Sequence, residues 1–239
     1  MQRVIAFSVL LLLSLSCHAG SLRLDRTVLS LSPDKPVAEL TMRNIGVTPS
    51  LVQTQVFSWR QENNENKLDP SQDLLVSPPI VEIPPGASQI LRVGLLGDGA
   101  GGSVESPYRL IIQEVPLPVD EDDGVAVSVL LRISFPVFVK PKAKAEPNLS
   151  WQATKRSANE ITISLSNSGN AHAQLVDLDV STSDGSPLVE SESFLGYVLP
   201  GETRSWDFAT SQSLSGNRVK VSAETRQGRV HADLDLNGS

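Results

Sequence analysis

Between positions 125 and 141 the chain reads VAVSVLLRISFPVFVKP, and every odd position up to 139 is apolar: Val125, Val127, Val129, Leu131, Ile133, Phe135, Val137 and Val139. The even positions are mixed: Ala126, Ser128, Leu130, Arg132, Ser134, Pro136, Phe138 and Lys140. Side chains on a strand alternate between faces, so this period of two predicts a single β-strand with one wholly apolar face. Strands in globular proteins mostly run about 3–10 residues. A longer one with an unbroken apolar face either crosses between cores or offers part of its length to another chain.

Shorter runs of the same kind precede it: LRLDRTVLSL (22–31), VAELTMRN (37–44), LVQTQVFSW (51–59), ILRVGLL (90–96) and YRLIIQEVPL (108–117). Turn-forming clusters separate them, at SPDKP (32–36), ENNENKLDPSQD (62–73), PPG (84–86) and GDGAGGS (97–103). About seven short strands in a stretch of this size predict an immunoglobulin-like sandwich, here without the Cys…Trp…Cys arrangement of antibody domains. PKAKAEPN, just beyond the long strand, reads as a linker. A second set of strands follows: LSWQAT (149–154), EITISLSN (160–167), AQLVDLDV (173–180), FLGYVL (194–199), TRSWDF (203–208), RVKVSAE (218–224) and VHADLDL (230–236). The expected fold is all-β, two sandwiches: residues 20–140, a linker at 141–147, and residues 148–239.

The first 19 residues have the pattern of a secretory signal: Arg3, an apolar stretch from Val9 to Leu15, and a small-residue cleavage site ending at Ala19. The apolar stretch is too short for a membrane-spanning helix. Cys17 read as a lipoprotein cysteine is the alternative, against which Ser14 stands where an aliphatic residue belongs. Cleavage after Ala19 removes the single cysteine and leaves 27 acidic residues against 19 basic ones, the 20 of the whole chain less Arg3. That balance, −8, argues against a nucleic-acid partner, which calls for a basic face. Few aromatics and 16 each of Gly and Pro fit a β-rich chain with many turns.

Five segments, in this order and behind a signal sequence, carry a resemblance to the periplasmic chaperones of chaperone–usher pilus assembly. They are LVSPPIVEIPPGASQILRVG (75–94), ESPYRLIIQEVP (105–116), the 125–141 run ending FVKP, and NSGNAHAQL (167–175) with FLGYVLPG (194–201). Tyr108-Arg109-Leu110 and Phe135-Pro136-Val137-Phe138 look closer to the archaic (or alternative) branch than to the best-known one. The resemblance implies two immunoglobulin-like domains in a boomerang arrangement and a periplasmic location. It also implies an ATP-independent activity: the chaperone completes a pilus subunit by lending it an edge strand, then delivers it to an outer-membrane usher. By that likeness Val125, Val127, Val129 and Leu131 are the donor side chains. β-strand addition is a sound physical mode in its own right, with main-chain hydrogen bonds giving affinity and alternate side-chain pockets giving specificity.

The family also anchors the subunit's terminal carboxylate on basic residues between the domains. The positions used in the best-known branch correspond here to Val28 and Pro136, so that pair is missing. Arg109 is the implied replacement, with Arg132 as a second and Arg26 as a weaker candidate. Arginine suits the task because its planar fork binds a carboxylate bidentately and keeps its charge. Glu105, Lys140 and Glu224 fall at or near an interdomain ion cluster of relatives, and Ser77, Pro78 and Pro79 resemble the region that docks on the usher. The acidic stretch Asp120–Gly124 before the donor segment reads either as a charged guard on its edge or as a plain solvated loop, and the two readings are compatible.

No His, Asp or Glu cluster has metal-ligand spacing, no Gly-rich loop opens a helix, and no serine sits in a nucleophile elbow. The expectation is a non-enzyme without metal or cofactor. The competing readings are a structural surface or pilus protein of two sandwiches, in which 125–141 is ordinary core, and a generic extracytoplasmic binding module.

Overall fold

The computed structural model describes residues 22–97, 102–116 and 129–238. The signal segment, Asp120–Gly124, Val125 and Val127 lie outside the described residues, and so do the side chains of 190–192 and 194.

The first domain is two packed sheets. One holds β1 (Leu22–Leu24), β3 (Val37–Asn44), β8 (Ser88–Leu95) and β6 (Leu74–Ser77), in the order β1-β3-β8-β6. The other runs β2 (Leu29–Leu31), β10 (Arg132–Val139), β9 (Ser106–Val115), β4 (Ser50–Glu62) and β5 (Glu65–Pro70), with β7 (Ile80–Ile83) also on β4. The predicted strand 22–31 is therefore two. The Asp25 N–H donates to the Thr41 carbonyl and the Asp25 carboxylate accepts from the Thr41 N–H, which ends β1 against β3. The chain then crosses to the other sheet, where β2 lies parallel to β10. The polar cluster at 62–73, expected as a turn, contributes β5: a tight hairpin with Asn63 and Asn64 at φ of 51° and 66° pairs it with β4. Asparagine is one of the few residues that enters this left-handed region at low cost.

Leu29, Leu31, Leu40, Met42, Val52, Leu91, Val93, Leu110, Ile112, Phe135, Val137 and Val139 fill the space between the two sheets. Each buried side chain of this kind contributes about 1.5–3 kcal/mol.

The second domain has seven strands: β11 (Leu149–Ser157), β12 (Glu160–Asn167), β13 (Ala173–Thr182), β14 (Pro187–Val198), β15 (Thr203–Ala209), β16 (Arg218–Thr225) and β17 (Gly228–Gly238). β17 pairs antiparallel with β16 and then, from Leu236, parallel with β11, so one strand joins both layers of the sandwich. Ile161, Ile163, Leu178, Val180, Val219 and Val221 form its core.

Candidate functional site

Each strand of β10 has two faces, and here they serve different neighbours. Phe135, Val137 and Val139 point into the first domain's core, while Phe138 packs with Trp59, Leu199, Val28 and Tyr197 between the domains. Moving back along the odd face, burial gives way. Phe135 is 2% exposed, Ile133 only partly buried against the core, and Val129 84% exposed. The apolar alternation thus continues past the end of the core that it serves. The edge behaves likewise. β2 covers β10 only at Val137–Val139, and no described strand covers Arg132–Pro136 on that side. Pro136, with no N–H to give, occupies the last uncovered position, where a sheet tolerates proline.

The exposed segment is held at its root. The buried Glu114 carboxylate accepts hydrogen bonds from the Ser50 hydroxyl at 2.7 Å and the Leu131 N–H at 2.9 Å. The Glu114 N–H in turn donates to the Leu131 carbonyl. Regular pairing with β9 begins at Arg132↔Gln113. The strand expected from Val125 is therefore corrected to Arg132 among the described residues: Val129, Leu130 and Leu131 have no ladder partner there.

Arg109 lies on the outward face of β9, opposite Pro136 on β10 and Phe57 on β4. Its guanidinium sits 3.7 Å from the Trp59 ring centre and 5.6 Å from that of Tyr197. The two rings meet edge-on at 5.4 Å and make a corner. Stacking on one face leaves the in-plane N–H fork available, and among the described residues the Arg109 guanidinium has no hydrogen-bond or ion-pair partner. Burial lowers its pKa, opposed by the nearby Tyr197 hydroxyl, and it remains a cation. Arg132 is exposed at the start of β10, and Arg26 is paired with Asp25 at 3.1 Å; neither joins Arg109.

The expected ion cluster is not assembled. Glu105 is buried, and its carboxylate accepts from the His172 N–H at 3.0 Å and meets His172 Nδ1 at 2.6 Å. Glu224 binds Arg229 across the β16–β17 hairpin, and Lys140 is exposed with its backbone N–H on the Leu31 carbonyl. The physical reason is that His172 reaches Glu105 first: its ring stacks on Phe138 at 3.7 Å, which fixes Nδ1 against the carboxylate. The NSGN turn before it supplies the rest of the hinge. Asn167 bonds four backbone groups, from Asn148, Gly169, Ala171 and Val198. A Cβ on Gly169 would lie 2.4 Å from Asn148 N, so only glycine fits against the linker.

On the opposite side of the cleft, two side-chain amides of the β4–β5 hairpin bind backbone of the second domain. Gln61 bonds the Tyr197 carbonyl and the Leu199 N–H, and Asn64 bonds the carbonyl and N–H of Ser205. Sequence reasoning did not single out Trp59, Gln61, His172 or Tyr197. The available signal was Phe138, an aromatic on the otherwise mixed face of the long run.

Ser77, Pro78 and Pro79 lie where the chain crosses from β6 in one sheet to β7 in the other, with a cis Ser77–Pro78 bond and the Pro79 carbonyl accepting from Thr54 N. Ile80 beside them is 56% exposed.

Two immunoglobulin-like sandwiches, bonded to each other beside an arginine that has no ion-pair partner among the described residues, have the architecture of a two-domain assembly chaperone. Residues 21–145 match the family described as pili and flagellar-assembly chaperone, PapD N-terminal domain, and the chain belongs to that family. It is 25% identical over 170 residues to the uncharacterized fimbrial chaperone YhcA of Escherichia coli, covering 71% of this chain and 72% of that one. It is 28% identical over 144 residues to the chaperone protein FaeE of Escherichia coli, covering 59% and 52%. The fold is similar to that in the CsuC–CsuE chaperone–tip adhesion subunit pre-assembly complex of Acinetobacter baumannii. There the TM-score is 0.66 at 21% identity, over 92% of this chain and 100% of the matched one. It is also similar to the Salmonella enterica SafA pilin–SafB chaperone complex, with a TM-score of 0.62 at 19% identity over 90% and 97%.

Proposed function

We propose that the protein is a periplasmic chaperone that captures pilus subunits by lending them the strand leading into β10, and passes them to an outer-membrane usher. The single observation that carries this reading is the loss of burial along one unbroken apolar face, from Phe135 at 2% exposed to Val129 at 84%. An apolar face beyond its own core, beside an uncovered strand edge, is a site for strand addition. Val125, Val127, Val129 and Leu131 are the donor side chains in this reading. Arg109 is the carboxylate anchor, since it is a partly buried cation with a free fork. Arg132, exposed on the donor strand, contributes a rim charge. Ser77, Pro78 and Pro79, with Ile80, form the usher-docking surface. The N-terminal 19 residues direct export.

Co-expression with a pilus subunit of the same host tests the reading. Wild-type protein yields a one-to-one complex, and Val129→Asp yields none while remaining folded. A wild-type protein that captures no subunit overturns it.

A further inference from the structure

Arg109 lies over the Trp59 ring, a contact worth about 0.5–2 kcal/mol at a partly buried site, and such a contact does not by itself fix the direction of the guanidinium fork. One pair of amides lies behind its corner, bonding the Trp59 indole and the main chain at Tyr197. Trp59 Nε1 donates to Asn66 Oδ1 at 3.0 Å. Gln61 Nε2 donates to the same oxygen at 3.2 Å and to the Tyr197 carbonyl at 2.9 Å, and Gln61 Oε1 accepts from the Leu199 N–H at 3.0 Å. Both hydrogens of the Gln61 amide and its oxygen are therefore used. Reversing the amide would face a donor with a donor and two acceptors with an acceptor, so its orientation is determined. Gln61 is 3% exposed, out of reach of any ligand lying in the open cleft.

We propose that Gln61 and Asn66 are positioning residues for Arg109: together they set Trp59 from the first domain and Tyr197 from the second at the angle that aims the guanidinium fork. The proposal rests on the reading of Arg109 as the carboxylate anchor. A simple domain fastener would need only the two Gln61 bonds to the backbone of Tyr197 and Leu199. The shared acceptor Asn66 Oδ1 instead couples those bonds to the indole under Arg109.

Two measurements separate positioning from fastening. In the free protein, ring current from Trp59 should displace the Arg109 side-chain NMR signals upfield. Gln61→Ala and Asn66→Ala should both return them toward ordinary arginine positions. Asn66 is exposed, so its variant decides the matter if Gln61→Ala does not fold. The second measurement is calorimetric binding of a synthetic peptide of a pilus subunit's C-terminal strand, made as free acid and as amide. Wild type should prefer the acid, and each variant should cut that preference by about tenfold, the scale of losing one or two hydrogen bonds. Variants that are less stable but keep both the displaced Arg109 signals and the acid preference overturn the proposal. Equal binding of acid and amide by the wild type overturns the anchor reading itself, whatever the Arg109 signals do.

Discussion

Phe135 and Val129 belong to the same alternating apolar run, but one is sealed in the core and the other is almost bare. The difference lies in what stands opposite. At Phe135 and beyond, the β1-β3-β8-β6 sheet closes over the apolar face and the second domain covers the reverse face through Phe138. Before Ile133 neither cover extends, and Glu114 ties the chain down at Leu131. Alternation specifies that a face is apolar; it does not specify whose core that face completes. In this chain one pattern runs through two settings, the nearer part sealed in the domain's own core and the farther part outside it.

The sharpest way to break this comparison is to truncate the two ends separately. Phe135→Ala should lose about 3–5 kcal/mol in denaturant unfolding, as a large side chain leaving a sealed core. Val129→Asp should stay within about 0.5 kcal/mol of wild type, as a surface change touching no core contact. Equal losses from the two would mean that Val129 is core after all.

Arg109→Ala comes next, because it removes a binding group and little packing. Capture of a subunit should fall by about a hundredfold, the scale of truncating one partner of a desolvated charge pair. Unfolding should move by no more than about 2 kcal/mol, the worth of a guanidinium–ring stack at a partly desolvated site. Unchanged capture, read by co-purification and surface binding, would return the anchor to Arg132.

Glu105→Ala sharpens the comparison at its buried end. It leaves the His172 N–H without its acceptor beside the Phe138 ring, and should cost about 1–3 kcal/mol. Asn64→Gly, on the exposed hairpin tip, keeps the left-handed turn and loses only solvent-exposed bonds, so it should cost no more than about 0.5 kcal/mol. If the two losses match in chemical unfolding, the Glu105–His172 contact is no more than a surface bond.

The pattern of β10 and of most other strands was legible because burial on one face of a sheet imposes period two. The segments 37–44 and 160–167 coincide with β3 and β12 for that reason. β5 was illegible: five of its six residues are exposed, so no apolar alternation marks it, and a backbone turn at Asn63-Asn64 makes it a strand. β6 and β7 are four residues each, too short for a period to register. In the site, Arg109 could be named from its motif, but its surroundings could not. Trp59 and Gln61 come to it from β4 by sheet pairing and Tyr197 from β14 by domain packing, neither of which leaves a spacing in the chain. The Glu105–Lys140–Glu224 cluster failed for a related reason. Charge and position matched, while the neighbouring His172, held by stacking, supplied a nearer partner for Glu105.

The smallest effect concerns the two tyrosines, one on each side of β9. Tyr108 faces the core opposite Val137 and donates its hydroxyl to Asp73 at 3.0 Å. Burial, then the Asp73 carboxylate, push its pKa up to about 12, and burial also raises that of Tyr197 against the opposing charge of Arg109. A raised pKa on an acid means that the folded state holds its proton after the unfolded state has released it. The contribution of Tyr108 to stability is therefore complete below about pH 10 and is lost as pH rises from there toward 12. Phenolate absorbance should show no tyrosine of the folded chain titrating at the ordinary value, and Tyr108→Phe should delete the later step. Its unfolding free energy should also decline less steeply than wild type above pH 10. A tyrosine ionising normally in the folded protein would place Tyr108 in water, and with it the face of β9 against which the buried end of the run is packed.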